Sequence, residues 1–294
     1  MYSIAICLAT YNGERYLAEQ LDSLLSQDYK NIKVYIHDDG SSDGTTDIIQ
    51  KYVRDYPDTF VFYDDNVSYK NAGLNFMETL KKIPKHDFYM FCDQDDVWLD
   101  DKVSKTLNEI LKETDDVDSF PILAYTDLKI VDDKLNVLQD GIYGRAGYYL
   151  EFTSYESSVV YCRAAGCTTL FNHKSKELMF SYKYPSYDKA MYHDYWLPLC
   201  TLSDSKSKLV YLDEGTILYR QHSNNTVGHK VRKKNKSFPI AKTILCAINV
   251  VSMVKLYRKL KRMNKYLPHK ISFLSIYMES VKMKYLRYKF RSMS

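Results

Sequence analysis

Short apolar runs alternate with amphipathic segments through the first third of the chain. The apolar runs are predicted strands, and they cover residues 3–9, 33–37, 60–63 and 88–92. Between them, apolar side chains recur at helical spacing, which predicts helices over residues 14–26, 45–56 and 75–82. This regular alternation predicts an α/β fold, with a mostly parallel sheet and helices on both of its faces.

The pattern is less regular in the rest of the chain. Further helices are predicted over residues 102–113, 175–180 and 193–202. Further strands are predicted over residues 122–125, 166–172, 209–212 and 217–219, with an irregular segment over 132–158. From residue 241 onward, apolar side chains recur at helical spacing among many basic ones, in two stretches that separate near Pro268. We therefore expect one α/β domain followed by a basic helical region.

The distribution of charge divides the chain near Gly228. Residues 1–228 contain 23 basic and 36 acidic side chains, a net charge of −13. Residues 229–294 contain 18 basic side chains and one acid, Glu279, a net charge of +17. An acidic body with a basic tail is typical of a tail that binds an anionic partner, either a membrane or a nucleic acid. The total of +4 conceals this difference.

A membrane is the partner that the tail's pattern favours. Basic amphipathic helices lie in the headgroup plane of anionic membranes. One alternative is that the first stretch packs its apolar face on the body. The other is a nucleic-acid arm, but no recognisable nucleic-acid-binding module is present. The apolar stretch over 243–254 has 12 residues, fewer than the roughly 20 that span a bilayer.

The cysteines and the beginning of the chain indicate a compartment. The six cysteines, at positions 7, 92, 162, 167, 200 and 246, form no C-x-x-C pair. We therefore expect neither a zinc site nor a disulfide framework, but free buried thiols in a reducing cytoplasm. The first residues show no signal-peptide pattern. With 45% hydrophobic and 27% charged residues, the composition excludes disordered and collagen-like proteins.

Carboxylates cluster where the predicted strands end. Asp38, Asp39 and Asp43 follow the second strand, whereas Asp93, Asp95 and Asp96 follow the fourth. Because parallel strands end at one edge of the sheet, these groups would lie close together and repel one another. A divalent cation with a phosphate ligand would neutralise them, and Mg²⁺ is bound in this way by one or two carboxylates. The alternative is a set of solvated turns that cap the following helices.

Six segments in series give the chain a family resemblance. They are LATYNGERYL at 8–17, HDDGSSDGT at 37–45, CDQDDVW at 92–98, GCTTLFN at 166–172, HDYWLP at 193–198 and YRQHSNNTVG at 219–228. Together they resemble glycosyltransferase family 2, and most of all its bacterial rhamnosyltransferase-like branch. The resemblance implies a GT-A catalytic domain over 1–228, with a nucleotide-binding half over 1–100 and an acceptor half over 101–228. Residues 229–294 would then be the membrane-associating region.

The resemblance also implies individual roles. The nucleotide contacts are Ala9, Tyr11, Glu14, Asp38, Asp39 and Asp93, with Asp39 at the base-binding position. The metal ligands are Asp95 and His222, and Asp194 is the general base that deprotonates the acceptor hydroxyl. Trp196 would line the acceptor pocket, and Arg220 would reach the diphosphate or the acceptor. The alternatives are a helix-capping Asp194, a structural His222, and an Arg220 paired with an acid of the body.

The function that the resemblance implies is inverting sugar transfer assisted by Mg²⁺ or Mn²⁺. The expected donor is dTDP-L-rhamnose, and the expected acceptor is a polyprenyl-linked glycan of a bacterial capsule, O-antigen or wall polysaccharide. A protein of this kind works in the cytoplasm, peripherally on the inner face of the cell membrane, without a nucleic-acid partner. A UDP-hexose donor is the alternative within the class. A non-catalytic nucleotide-sugar-binding or scaffolding protein is the alternative outside it, and a homo-oligomer is left open.

Overall fold

A computed structural model of the protein describes residues 1–142, 154–160, 164–185, 192–222, 257–258, 260–261 and 263–282. Its strands are β1 Ile4–Thr10, β2 Ile32–Asp38, β3 Phe60–Phe62, β4 Phe88–Cys92, β5 Val97–Trp98, β6 Ile122–Val131, β7 Val137–Asp140, β8 Thr169–Asn172 and β9 Lys208–Arg220. Its helices are α1 Leu17–Leu25, α2 Thr45–Asp55, α3 Ala72–Lys82, α4 Lys102–Glu113, α5 Tyr155–Val160, α6 His173–Ser181 and α7 His193–Thr201, with a 3₁₀ turn over Gly166–Thr168. Helical residues follow within 257–263 and over 273–282.

These strands form one sheet in the order β3-β2-β1-β4-β8-β6-β9-β5, with β7 paired to β6. The first four strands are parallel, as predicted. Beyond β4 the sheet is mixed, because β8 is antiparallel to both β4 and β6, whereas β6 and β9 are parallel. Since β2 and β4 flank β1 on opposite sides, the strand order reverses at β1. Ligands of such sheets bind at the carboxyl ends of the strands that meet at this reversal.

Helices cover both faces of the sheet, which confirms the predicted layers. Successive side chains of a strand point to opposite faces, so β1 contributes to two cores. Ile4, Ile6 and Leu8 pack in a core with residues of α1, α2 and α4. Ala5 and Cys7 pack in the other core, with residues of α3 and α7. The carboxyl ends of the strands are thereby held on a rigid three-layer scaffold.

Two predictions about the second half of the sheet are wrong. The two late strands are one continuous strand, β9, in which Asp213 and Glu214 are exposed and its register with β6 shifts. That exposed acidic pair interrupts the apolar pattern without ending the strand. The segment predicted to be irregular contains β7 and α5. β7 is only four residues long and mostly exposed, so its sequence does not show the alternation of apolar and polar residues that predicts a strand.

The described part of the C-terminal region packs on the body. Five of its apolar side chains are buried in the core that also contains α7: Leu260, Met263, Leu267, Ile271 and Ile276. His269 Nε2 lies 2.9 Å from the carbonyl oxygen of Ser203, and the Tyr155 hydroxyl donates to the His269 carbonyl at 3.0 Å. Packing on the body, one of the two alternatives, therefore holds for these residues. The predicted apolar face over 244–254 lies outside the described residues.

Cys7, Cys92, Cys167 and Cys200 are buried free thiols, as predicted, whereas Cys162 and Cys246 lie outside the described residues. Within the residues described above, no helix combines the length and the apolar character needed to cross a membrane.

Candidate active site

One side chain joins the loop after β1 to the loop after β4. Gln94 Oε1 accepts a hydrogen bond from the Tyr11 amide at 2.8 Å, and Gln94 Nε2 donates to the Tyr11 carbonyl at 2.9 Å. A Cβ atom on Gly13 would lie 2.3 Å from Gln94 Oε1, so glycine leaves the room that this contact needs. Gln94 is absent from the predicted site because the D-x-D pattern draws attention only to the carboxylates around it.

Asp38 organises the turn between β2 and α2. Its Oδ1 accepts from the hydroxyls of Thr10 and Ser41, at 2.7 and 2.6 Å. Its Oδ2 accepts from the amides of Ser41 and Gly40, at 2.7 and 3.1 Å. Gly40 has a φ of 85°, a conformation that glycine adopts without strain. Protein donors therefore occupy both oxygens of the carboxylate.

Asp39 organises the loop that precedes α3. It is 5% exposed, and its Oδ1 accepts from the amides of Tyr69 and Lys70 and from the Ser68 hydroxyl. Its Oδ2 accepts from the Asn71 amide at 3.0 Å. Among the described residues Oδ2 has this one donor, so it is the oxygen that the base contact implied by the family resemblance would use. We refer to Asp38 and Asp39 as the scaffold carboxylates.

The other residues expected near the nucleotide lie in the first two loops. Ala9 in β1 is partly exposed, and Tyr11 is 57% exposed, so a ligand can reach both. Glu14 is exposed, and its Oε2 accepts from the Gly44 amide at 3.1 Å, next to the first turn of α2. The structure therefore leaves Ala9 and Tyr11 accessible and engages Glu14 in joining two loops.

A deeper group of acids lies behind the loop after β4. Ligand atoms of Asp93, Asp96 and Cys167 all lie within 4.8 Å of one another. Asp96 is fully buried, and its Oδ1 accepts from the Arg220 amide at 3.1 Å. In the described part of the chain, Asp96 Oδ2 finds no hydrogen-bond partner. Asp96 is predicted only as a member of the acid cluster, and Cys167 has no predicted role, because the 3₁₀ turn that carries it is distant in sequence.

The two predicted metal ligands meet. His222 Nε2 lies 2.7 Å from Asp95 Oδ2, and both side chains are largely but not fully buried. The imidazole also packs against the ring of Tyr16, with the ring centroids 4.8 Å apart. The Tyr16 hydroxyl donates to Asp133 Oδ1 at 3.0 Å, which fixes the ring on which His222 rests.

Arg220 binds the protein's own groups. Its Nε donates to the Asp95 carbonyl at 2.9 Å and its Nη1 to the Asp133 carbonyl at 2.7 Å, while Nη2 forms an ion pair with Glu19. The guanidinium also lies over the Tyr16 ring, 4.6 Å from its centroid. The expected contact with diphosphate or acceptor is therefore not met; the alternative, pairing with an acid of the body, is what the structure shows. Arg220 holds the end of β9 against the loop after β4.

Asp194 lies in the first turn of α7, close to the acids of the loop after β4. A Cβ atom on Gly166 would lie 3.4 Å from the Asp194 Cβ, so the 3₁₀ turn that contains Cys167 packs on the start of α7. Burial raises the pKa of Asp194 to about 6. Burial, followed by the charges of Asp95 and Asp194, raises the pKa of Asp93 to about 7. We refer to Asp93, Asp95, Asp96 and Asp194 as the clustered carboxylates.

The neighbours of Asp194 on α7 are core residues. The His193 ring packs on Phe76 and Phe91, at centroid distances of 4.1 and 4.5 Å, and burial lowers its pKa to about 3. Trp196 is fully buried, and its indole N–H donates to the Met179 carbonyl at 3.0 Å. The expectation that Trp196 lines an acceptor pocket is wrong, because its ring packs in the core below the site. The sequence pattern does not distinguish an aromatic side chain that packs in the core from one that lines a pocket.

Comparison with known proteins decides the family. Residues 5–165, more than half of the chain, match the family model described as glycosyl transferase family 2. The protein belongs to glycosyl transferase family 2. The predicted family is thereby confirmed, and the chain is a nucleotide-sugar-dependent glycosyltransferase.

Two relatives in this family span most of the chain. A Shigella flexneri protein named dTDP-rhamnosyl transferase RfbG is 28% identical over 239 residues, 78% of this chain and 76% of that protein. An Escherichia coli protein named UDP-Glc:alpha-D-GlcNAc-diphosphoundecaprenol beta-1,3-glucosyltransferase WfaP is 27% identical over 245 residues, 83% of this chain and 87% of that protein.

Solved structures confirm the GT-A fold. S. aureus TarS 1–349 superposes with a TM-score of 0.57 at 17% identity, covering 74% of this chain and 60% of that one. This chain therefore spans less than two thirds of that structure. The mannosyltransferase PcManGT from Pyrobaculum calidifontis, solved with GDP-Man and Mn²⁺, superposes with a TM-score of 0.56 at 13% identity, covering 99% of this chain and 73% of that one.

Proposed function

We propose that this glycosyltransferase moves L-rhamnose from dTDP-rhamnose to a polyprenyl-linked glycan, with inversion, during cell-surface polysaccharide synthesis. The observation that carries the proposal is the position of Asp194, a carboxylate with a raised pKa beside the acids after β4. The donor is supported by the Shigella flexneri relative, whose name specifies a dTDP-rhamnosyl transferase. The acceptor class is supported by the Escherichia coli relative, whose name specifies a diphosphoundecaprenol-linked sugar.

In the proposed reaction Asp194 accepts the proton of the acceptor hydroxyl. The oxygen then attacks the anomeric carbon, and the bond from that carbon to the diphosphate breaks, so the nucleoside diphosphate leaves with the electron pair. A carboxylate is an effective general base when its pKa lies near the working pH, which is the effect of burial on Asp194. A single displacement of this kind, in which Asp194 acts only as a base, inverts the anomeric centre.

The chemistry of the donor set fits a divalent cation. Asp95 Oδ2 and His222 Nε2 lie 2.7 Å apart beside the end of β9, and a carboxylate oxygen such as that of Asp95 is a ligand that suits Mg²⁺ and Mn²⁺. The thiol of Cys167 is a poor ligand for Mg²⁺ or Mn²⁺, which favours the Asp95–His222 pair over the deeper group. Mg²⁺ or Mn²⁺, when bound, would neutralise charge on the leaving diphosphate. Arg220 and Tyr16 hold both ligands in place from behind.

A UDP-hexose, above all UDP-glucose, is the second candidate donor. The Escherichia coli relative, named as a UDP-Glc enzyme, covers slightly more of this chain than the rhamnosyl transferase does, at nearly the same identity. The two candidates share the fold, the base and the acceptor class. They differ in the nucleobase and in the sugar hydroxyls that the pocket must accept.

A donor screen tests the proposal. The full chain is incubated with Mn²⁺, a short polyprenyl-diphosphate-linked sugar, and dTDP-rhamnose, UDP-glucose, UDP-galactose or GDP-mannose, and release of the nucleoside diphosphate is measured. We expect release that depends on acceptor and is fastest with dTDP-rhamnose. Faster release with UDP-glucose would select the second candidate. If the wild-type protein binds a donor but releases no nucleoside diphosphate from any of them, and behaves like the Asp194→Asn variant, the protein is the non-catalytic binding protein instead.

A further inference from the structure

The helix over residues 273–282 has two apolar faces, and only one of them is packed. Ile276 is fully buried in the core that includes α7. Leu274 and Met278 are 68% and 58% exposed. Side chains four residues apart share one face of a helix, so Leu274, Met278 and the exposed Lys282 form one outward stripe. The helix is therefore anchored to the body on one side and presents apolar groups on the other.

Aromatic side chains widen this stripe. Tyr257 is 51% exposed, and its ring lies 5.6 Å from the ring of Phe273. Phe273 in turn stacks with Tyr277, at a centroid distance of 6.2 Å. We define Tyr257, Phe273, Leu274, Tyr277 and Met278 as the outer apolar patch, in which Tyr257, Leu274 and Met278 are exposed. Phe273 and Tyr277 are half-buried, and Phe273 also packs against the core that contains Ile276. Exposed apolar side chains grouped on two neighbouring helical segments are typical of an interaction surface.

Basic side chains surround the outer apolar patch in sequence and are exposed: Arg258, Lys261, Lys265, Lys270 and Lys282. The one acid of residues 229–294, Glu279, has a carboxylate oxygen 3.5 Å from the Lys282 ammonium. The partner that fits is therefore both apolar and anionic. A second copy of the same basic surface would repel it, and a nucleic acid would leave Leu274 and Met278 without an apolar partner.

We propose that the outer apolar patch and its basic neighbours dock the protein on an anionic bilayer. Leucine, methionine and tyrosine side chains enter the headgroup region, while lysines and arginines pair with lipid phosphates. This binding does not depend on the identity of the donor or on sugar transfer. Its consequence for the acceptor rests on the proposed function, because it would hold the catalytic domain against the membrane that contains a polyprenyl-linked glycan.

The path from this surface to Asp194 is short. His269, between the two helical segments, bonds to the carbonyl of Ser203, just beyond the end of α7. Asp194 lies in the first turn of the same helix, which is nine residues or about 13 Å long. The segment that supports the outer apolar patch is therefore attached to the element that carries the proposed base. Docking the patch would fix the height of Asp194 above the bilayer.

Vesicle cosedimentation of the full chain tests the proposal. The probes are vesicles of phosphatidylcholine with and without phosphatidylglycerol, and the variants are Leu274→Glu/Met278→Glu and Lys261→Glu/Lys265→Glu. Matched controls are Val137→Glu/Leu138→Glu, whose side chains in β7 are 55% and 49% exposed, and Lys51→Glu/Lys112→Glu, exposed on α2 and α4. We expect each patch variant to bind anionic vesicles about tenfold or more weakly, and each control to bind as wild type does.

Three results would overturn the proposal. The first is unchanged vesicle binding by both patch variants, which would place any anchor elsewhere in the chain. The second is equal binding to vesicles with and without phosphatidylglycerol. The third is a dimer by light scattering that Leu274→Glu/Met278→Glu converts to a monomer, which would assign the patch to self-association.

Circular dichroism checks folding, and Leu274→Ser/Met278→Ser replaces the glutamate variant if that one does not fold. Failure of sugar transfer in the donor screen would leave this measurement unaffected.

Discussion

Two sets of carboxylates lie at the same edge of the sheet in very different surroundings. Asp38 and Asp39, the scaffold carboxylates, accept hydrogen bonds from the protein on both oxygens. The clustered carboxylates also have protein partners, such as the Arg220 amide on Asp96, but they lie close to one another, so burial and mutual repulsion raise the pKa values of Asp93 and Asp96. The same residue type thus builds the loops in one place and forms a group of buried like charges in the other.

The difference follows from what each loop can donate. After β2, the Gly40 and Ser41 amides donate to Asp38 Oδ2, and the hydroxyls of Thr10 and Ser41 donate to Oδ1. After β4, the deepest acid, Asp96, has one oxygen with no partner among the described residues. A buried carboxylate oxygen without a hydrogen bond is costly, and carboxylates with pKa values perturbed by burial concentrate at functional sites. The comparison therefore favours the side of the sheet edge formed by β4, α7 and β9 as the place of the proposed chemistry, and the predictions below test that division.

Replacing Asp194 should have the largest effect. We expect Asp194→Asn to lower the rate of sugar transfer about 10²–10⁴-fold, because an amide cannot take the acceptor proton. Donor affinity, measured by calorimetry in the same preparation, should stay close to that of the wild type. Loss of donor binding together with transfer would show that Asp194 belongs to the donor pocket and would remove the general-base assignment.

The pH dependence of transfer should follow Asp194. Burial raises the pKa of this carboxyl to about 6, and only the deprotonated form can act as a base. Transfer, measured as kcat/KM for the acceptor, should therefore fall about tenfold per pH unit as pH drops below about 6. The residual kcat/KM of Asp194→Asn should not fall with pH in this range. The same fall in the variant would show that another group titrates.

Removing a metal ligand should act on donor binding. We expect Asp95→Ala to weaken Mn²⁺-dependent binding of the nucleoside diphosphate about tenfold or more, because the His222 imidazole loses its partner as well. The exposed Asp64→Ala serves as the matched control and should bind as the wild type does. Equal Mn²⁺ titrations for the two variants would exclude Asp95 as a ligand.

The smallest effect is expected at the contact between the loop after β1 and the loop after β4. Gln94→Ala removes both hydrogen bonds that hold Tyr11 to the loop after β4. Because these bonds are exposed, we expect the KM for donor to rise only about three- to tenfold, with kcat nearly unchanged. Steady-state kinetics measure KM and kcat separately and so test this expectation. A fall in kcat alone would mean that Gln94 acts on the reaction step and not on the donor loop.

Much of this arrangement follows from local sequence patterns. Helix α4 begins at Lys102 and ends at Glu113, as its periodicity predicts, and β1 to β4 lie within a residue or so of their apolar runs. Topology then places Asp38, Asp39, Asp93 and Asp95 at one edge. The family resemblance adds Asp194 and His222, which come from the second half of the chain.

What could not be predicted depends on contacts between distant residues. The ion pair of Arg220 with Glu19 joins positions about 200 apart, and no local pattern distinguishes such an arginine from one that binds phosphate. Trp196 is a core residue for the same kind of reason, since its indole N–H donates to a carbonyl on α6. The hydrogen bonds that Asp38 and Asp39 accept from nearby loops likewise become visible only in the folded structure.

Unfolding of two variants in urea tests the division between the carboxylate sets most directly. At pH 8, above the pKa of Asp194, the buried charge opposes folding, so Asp194→Asn should leave the free energy of unfolding unchanged or increase it. Asp39→Asn should lower it by about 1–3 kcal/mol, because an amide cannot accept from all the donors that meet Asp39. Equal destabilisation by the two variants would contradict the account, since both carboxylates would then be scaffold.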